Sequence, residues 1–107
     1  FQGEVGYDAA AKGAMVPAGR SSAETAKLLR GLVEEDVDPL LEWNTASIEA
    51  ALEGCARRAG WPAKELFMTV RVAVTGRSAT PPLFETMAVL GKEICRRRLR
   101  RAAEALK

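Results

Sequence analysis

Histidine is absent from all 107 residues, and cysteine occurs only twice, at Cys55 and Cys95. Without imidazole, a histidine-based zinc site or general base is excluded. The cysteines fall on apolar helical stripes, away from metal-ligand spacing, and read as buried thiols of a cytosolic protein. No apolar run approaches the roughly 20 residues of a membrane span, and no secretory signal pattern occurs. The expectation is a cytoplasmic protein that does not enter a membrane. Aromatics are also scarce, at 6%, and strand-like alternation is scarcer still, which leaves an alanine-rich all-α chain.

Catalytic patterns are missing as well. There is no glycine-rich phosphate loop, no serine or cysteine placed with a base, and no carboxylate pair in an apolar setting. Binding is the default, with no cofactor or metal expected in this chain itself. Phe1–Gly3 reads as the remnant of a tag-protease site, and residues 4–107 as one domain cut from a longer protein.

The charge is unevenly placed. The formal net charge is only +2, yet residues 1–55 carry four Lys/Arg against ten Asp/Glu, and residues 56–107 carry twelve against four. The second half could attract a polyanion. Equally, the two halves could pair with each other across a helical bundle.

About five helices are expected, in a compact bundle. The first begins at Asp8 as N-cap and ends near Gly13 or before Pro17. The second opens with Ser21 and Glu24 as a capping box, and Leu28, Leu29, Leu32 and Val33 form its apolar face. The acidic stretch EEDVD closes that helix or links it onward, as a solvated face. The third starts at Asn44 or Thr45, places Ile48, Ala51, Leu52, Cys55 and Ala59 on one stripe, and stops at Gly60. Trp43, at its start, is expected to pack into the core. KELFMTVRVAVTG fits both strand and helix spacing, but no partner strand exists, so it reads as a helix capped by Gly76. The last and longest helix starts with Thr80 as N-cap and with Pro81 and Pro82 as its first two residues. Its buried stripe runs from Phe84 through Gly91 to Leu106. Arg96, Arg97, Arg100 and Arg101 lie mostly off that stripe, whereas Arg98 falls within it and must snorkel or pair.

Arg71 and Arg77 around the Thr75-Gly76 turn, with the arginines of the last helix, are the basic elements. Guanidinium forks suit phosphates and base edges, and nearby proline or leucine offers a surface for an unpaired base. Prolines at a helix start delete backbone donors, which makes it a poor phosphate cradle and a better apolar platform.

EWNTASIEAALEGCARR followed by LFMTVRVAVTGRSATPPLFETMAVLGKEICRRRLRRA resembles the C-terminal anticodon-binding region of bacterial glutamyl-tRNA synthetases. The resemblance rests on Arg71, Thr75-Gly76, Pro81-Pro82, Leu83-Phe84, Glu85 and Leu90-Gly91-Lys92-Glu93, and weakens toward Tyr7. It implies the all-helical anticodon-binding domain of a class I aminoacyl-tRNA synthetase, with tRNA(Glu) as partner and no DNA or membrane partner. A separate catalytic domain would use ATP and Mg to charge the tRNA in a monomeric parent. Neither a HIGH-like nor a KMSKS-like motif occurs here, so this chain alone would not aminoacylate. Position by position, Arg71 matches an anticodon-contacting arginine, and Thr80, Pro81 and Leu83 match the loop and helix start around the first anticodon base. Arg77 and Ser78 lie in a variable part of that loop, and Pro82 departs from the family pattern. Arg77, Ser78, Pro82, Arg97 and Arg101 are possible further RNA contacts. The alternative is a helical protein-interaction module with acidic and basic halves and no specific RNA target.

Overall fold

The computed structural model describes Tyr7, residues 9–77 and residues 82–107. Among them six α-helices follow one another: α1 (Ala9–Met15), α2 (Ser22–Gly31), α3 (Thr45–Ala59), α4 (Ala63–Thr75), α5 (Leu83–Leu90) and α6 (Lys92–Leu106). The described residues contain no strand, so the all-α expectation holds, with one helix more than expected. The extra helix comes from a break at Gly91. That residue sits at φ 93°, ψ 154°, and serves at once as the last cap of α5 and the first of α6. A continuous stripe was expected there because Gly91 falls in register. Apolar spacing does not report backbone direction, and glycine alone adopts this conformation without cost.

Local chemistry sets most of the helix ends. Ser21 Oγ accepts the Glu24 N–H at 3.1 Å, and Glu24 Oε1 accepts the Ser21 N–H at 3.5 Å. This is the expected capping box, in which each residue satisfies a donor that the helix leaves unpaired. Asn44 caps α3 through the Ser47 N–H at 2.8 Å. Gly60 and Gly76 close α3 and α4 in left-handed geometry. α1 continues past Gly13 and stops at Met15. The expected caps Asp8 and Thr80 lie outside the described residues.

α4 is the central element. Leu66, Thr69, Val70, Val72, Ala73 and Val74 are all fully buried, so the helix is enclosed on most sides. That explains its ambiguous spacing, because a helix covered nearly all round shows no single apolar stripe. α1 packs along α4, α2 along α6, and α3 against α5. Thr69 Oγ1 donates to the Met15 carbonyl at 2.7 Å, which fastens the end of α1 to α4.

Two other expectations change. Pro82 is the N-cap of α5 at φ −48°, ψ 131°, so the helix begins at Leu83. A proline disfavours helical geometry in the residue before it, so two adjacent prolines make a poor pair of opening helical residues. The EEDVD stretch is only in part a solvated face: residues Leu32–Val37 form a π-helical turn that extends α2. Val37 is buried, and Asp36 meets Arg58 at 2.7 Å. Asp38 meets Arg96 at 2.6 Å and Arg100 at 3.7 Å. Part of the charge asymmetry is thus spent inside the molecule, first half against second. Trp43 is half-buried against the core, and Cys55 and Cys95 are buried free thiols, as expected.

Candidate nucleic-acid interface

The residues expected from the sequence to meet RNA begin near the end of α4, and there the structure is tightly tied. Arg71 is half-buried just before the last turn of α4. Its carbonyl accepts the Thr75 hydroxyl at 2.6 Å, and the same Thr75 oxygen accepts the Arg77 N–H at 3.1 Å. The Gly76 N–H donates to the Val72 carbonyl at 2.7 Å. Together these bonds turn the chain sharply after Thr75 and leave Arg77 exposed.

α5 returns against the same helix. Phe67 and Phe84 meet edge to face, with ring centroids 5.2 Å apart at 88°. Arg71 stands one turn beyond Phe67 on the same face of α4. The start of α5 therefore packs on the face of α4 that carries Arg71. Pro82 is exposed there, whereas Leu83 is 4% exposed and belongs to the core. The backbone of α5 begins at the rim of this region, and the Leu83 side chain anchors it from beneath. Ser78, Thr80 and Pro81 lie outside the described residues.

Arg97 and Arg101 are exposed on α6 on either side of Arg98. Arg98 itself is 4% exposed, and its Nη1 donates to the Val74 carbonyl at 2.7 Å. The middle of α6 is thereby joined to the end of α4. Arg97 lines a shallow cleft with Glu93, Arg96, Arg100, Arg101 and Glu104. Arg101 also borders a cleft with Tyr7, Lys12, Glu104 and Ala105. The structure brings Arg71, Arg77, Pro82 and Leu83 to the junction of α4 and α5. It sets Arg97 and Arg101 on the neighbouring helix.

Two contributors escaped the sequence reading. Tyr7 directs its hydroxyl at the carbonyls of Ala73 and Arg98, the latter at 3.1 Å. Burial pushes its phenol up to about 12, against the opposing pull of Arg101 and Arg98, so it stays a donor beyond the pH at which an ordinary tyrosine ionises. No local pattern marks a lone tyrosine as a tertiary cap. Asp38 was the other, and its pairing with Arg96 depends on a contact that spans most of the chain.

Among the described residues no group of three or more His, Cys, Asp and Glu could hold a metal ion, and no helix is long and apolar enough to cross a membrane. A helical bundle with a cationic rim at the end of its central helix has the construction of a binding module. The chain belongs to the anticodon binding domain family, which it matches over residues 1–103. It is 43% identical over 74 residues to a glutamate–tRNA ligase of Rhizobium leguminosarum, covering 69% of this chain and 15% of that protein. The glutamate–tRNA ligase of Herpetosiphon aurantiacus is 37% identical over 101 residues, 94% of this chain and 20% of its own length. That of Saccharopolyspora erythraea is 49% identical over 65 residues, 60% of this chain and 13% of its own length. The chain therefore spans a fifth or less of these relatives.

Proposed function

We propose that this chain is the anticodon-loop recognition module of a glutamyl-tRNA synthetase. In the whole protein a catalytic domain would attach glutamate to tRNA(Glu), and ATP and Mg would serve that domain alone. The observation that carries this reading is the way α4 and α5 follow each other: α4 ends with Arg71 and the Thr75-Gly76 turn, α5 opens with the exposed Pro82, and its Phe84 packs on Phe67, one turn before Arg71. Membership of the anticodon binding domain family and the names of the relatives support it.

Arg71 offers a planar fork for a base edge or phosphate. Thr80, Pro81 and Pro82 would present the loop surface on which the first anticodon base lies, with Leu83 anchoring the helix start behind them. Arg77, Ser78, Arg97 and Arg101 would add contacts to the RNA backbone. Such contacts fix position, and sequence is read where a base is met. The synthetase would work as a monomer in the cytoplasm, with no DNA or membrane partner.

The test uses an RNA hairpin carrying a glutamate anticodon and a second with that anticodon altered, titrated at fixed salt. Wild type should prefer the first hairpin, and Arg71→Ala should lose most of that preference, about tenfold or more. Leu83→Ala is a poorer probe, because removing a buried leucine costs about 2–5 kcal/mol of stability. Equal wild-type binding to both hairpins, abolished by salt, would reject anticodon recognition in favour of a helical interaction module that holds RNA only by its phosphates.

A further inference from the structure

The last turn of α4 has its carbonyls held one by one, and two of the four holders come from elsewhere in the chain. Thr75 Oγ serves Arg71 and the Gly76 N–H serves Val72, both from within the turn. The Tyr7 hydroxyl serves Ala73, and Arg98 Nη1 serves Val74 at 2.7 Å. Tyr7 also reaches the Arg98 carbonyl at 3.1 Å, so it bridges the backbones of α4 and α6.

Arg98 occupies a position that core packing alone would fill differently. Its neighbours on the buried face of α6 are Cys95, Leu99, Ala102 and Leu106. A leucine would complete that stripe, whereas a guanidinium in its place carries a heavy desolvation cost. What the guanidinium gains is the negative end of the α4 dipole and a charge-assisted bond to a carbonyl the helix cannot satisfy itself. The bond lies one residue before Thr75, where the chain turns toward Arg77.

We infer that Arg98, braced by Tyr7, is a positioning residue for anticodon selectivity. It holds the end of α4, just past Arg71, against α6 and fixes the direction in which the Thr75-Gly76 turn leaves toward Arg77, and so how these two arginines stand relative to a base. The inference rests on the anticodon reading above. It adds a remote determinant to that reading: a buried cation on α6, beyond the proposed contact surface.

The experiment compares the chain with Arg98→Met, Arg98→Lys and Tyr7→Phe, each titrated at fixed salt with the two hairpins described above, with helicity checked by circular dichroism. Arg98→Met should lower the preference for the glutamate anticodon by about tenfold or more, while affinity for the altered hairpin changes little. Arg98→Lys, which keeps a charged donor, should recover part of the preference. Tyr7→Phe should lower it in the same direction by a smaller factor, and it decides the matter if Arg98→Met does not fold. Folded variants that keep the wild-type preference would overturn the positioning role and leave anticodon recognition standing. Equal losses on both hairpins would also overturn it, since a merely structural residue would act that way. A wild type indifferent to the anticodon would reject the functional reading itself, and the positioning role with it.

Discussion

Trp43 Nε1 donates a hydrogen bond to the Met87 carbonyl at 2.9 Å, which ties the segment before α3 to the last turn of α5. The same carbonyl accepts the Gly91 N–H at 3.1 Å, so it remains satisfied without the indole. Trp43→Phe keeps an aromatic ring but removes the donor together with the five-membered ring that carries it, part of which packs on the core. A loss of about 1–2 kcal/mol is expected in urea denaturation, from the bond and the lost packing together, kept small because the residue is half-buried and no acceptor is orphaned. Hairpin binding should be unchanged. A drop in RNA affinity at unchanged stability would move Trp43 from the core to the interface.

Two glycines should respond in opposite directions to the same substitution. Gly91 stands at φ 93°, where a side chain is strained, although a Cβ there would meet nothing within 4 Å. Gly91→Ala should cost about 1–3 kcal/mol from backbone strain alone. Gly54 lies inside α3, and its Cβ would likewise meet nothing within 4 Å. Gly54→Ala should stabilise by about 0.5–1 kcal/mol, because helix propensity rises and the unfolded chain loses freedom. Thermal melts of both variants give the sign directly. If Gly91→Ala were neutral, α5 and α6 would not need their break.

The helix starts and stops that depend on a few adjacent residues were legible in the sequence. Ser21 with Glu24, Asn44, Gly60 and Gly76 each act through neighbours no more than a turn away, and each lies where the pattern put it. Gly91 was misread because a glycine in register looks the same inside a helix as between two. The π-helical turn at Leu32–Val37 was hidden for a related reason, since a shift of the hydrogen bonds from four residues back to five leaves composition untouched. At the candidate site, Arg71 near the end of α4 and Arg77 just past its cap could be placed from spacing, whereas Pro82, expected inside the last helix, is the cap before α5. The tertiary bonds of Tyr7 and Asp38 could not, because their partners are distant in the chain and no period links them. Arg98 lay between these cases: its place on an apolar stripe signalled a need for a partner, but not which one.

Asp38 restrains the basic face of α6. Its carboxylate meets Arg96 at 2.6 Å and Arg100 at 3.7 Å, with all three side chains partly exposed. Solvent-screened pairs of this kind contribute little, so Asp38→Asn should change stability little. It releases cationic character on α6 and raises the formal net charge of +2 by one unit. Affinity for either hairpin should then rise at low salt, and the slope of log K against log salt should steepen by about one unit. An unchanged slope would mean that this face of α6 does not meet RNA, and would remove Arg97 and Arg101 from the interface.

Alkaline pH should destabilise the fold through groups that burial keeps protonated. Burial raises Cys95 from 9.0 to about 12 and, with Asp36 beside it, Cys55 from 9.0 to about 11. Tyr7 rises from 10.0 to about 12, again chiefly by burial. Between the ordinary and the raised values, from pH 9 for the two thiols and from pH 10 for the phenol, the unfolded chain releases these protons and the native chain retains them. The native state then binds more protons, so stability falls as pH rises, by up to about 1.4 kcal/mol per pH unit for each group. Below pH 9 these groups contribute no slope, and their full stabilising effect is present. Urea midpoints should therefore be level with respect to these groups up to about pH 9 and decline above it. Cys95→Ala should start from a lower stability and decline less steeply, because one of the titrating groups is gone. The same protonation makes the thiols poor nucleophiles, so a thiol reagent should label them at the rate at which the protein opens. A midpoint that stayed level to about pH 10.5, with fast labelling of Cys95 in the native protein, would show that its thiol reaches solvent and ionises as an ordinary cysteine does.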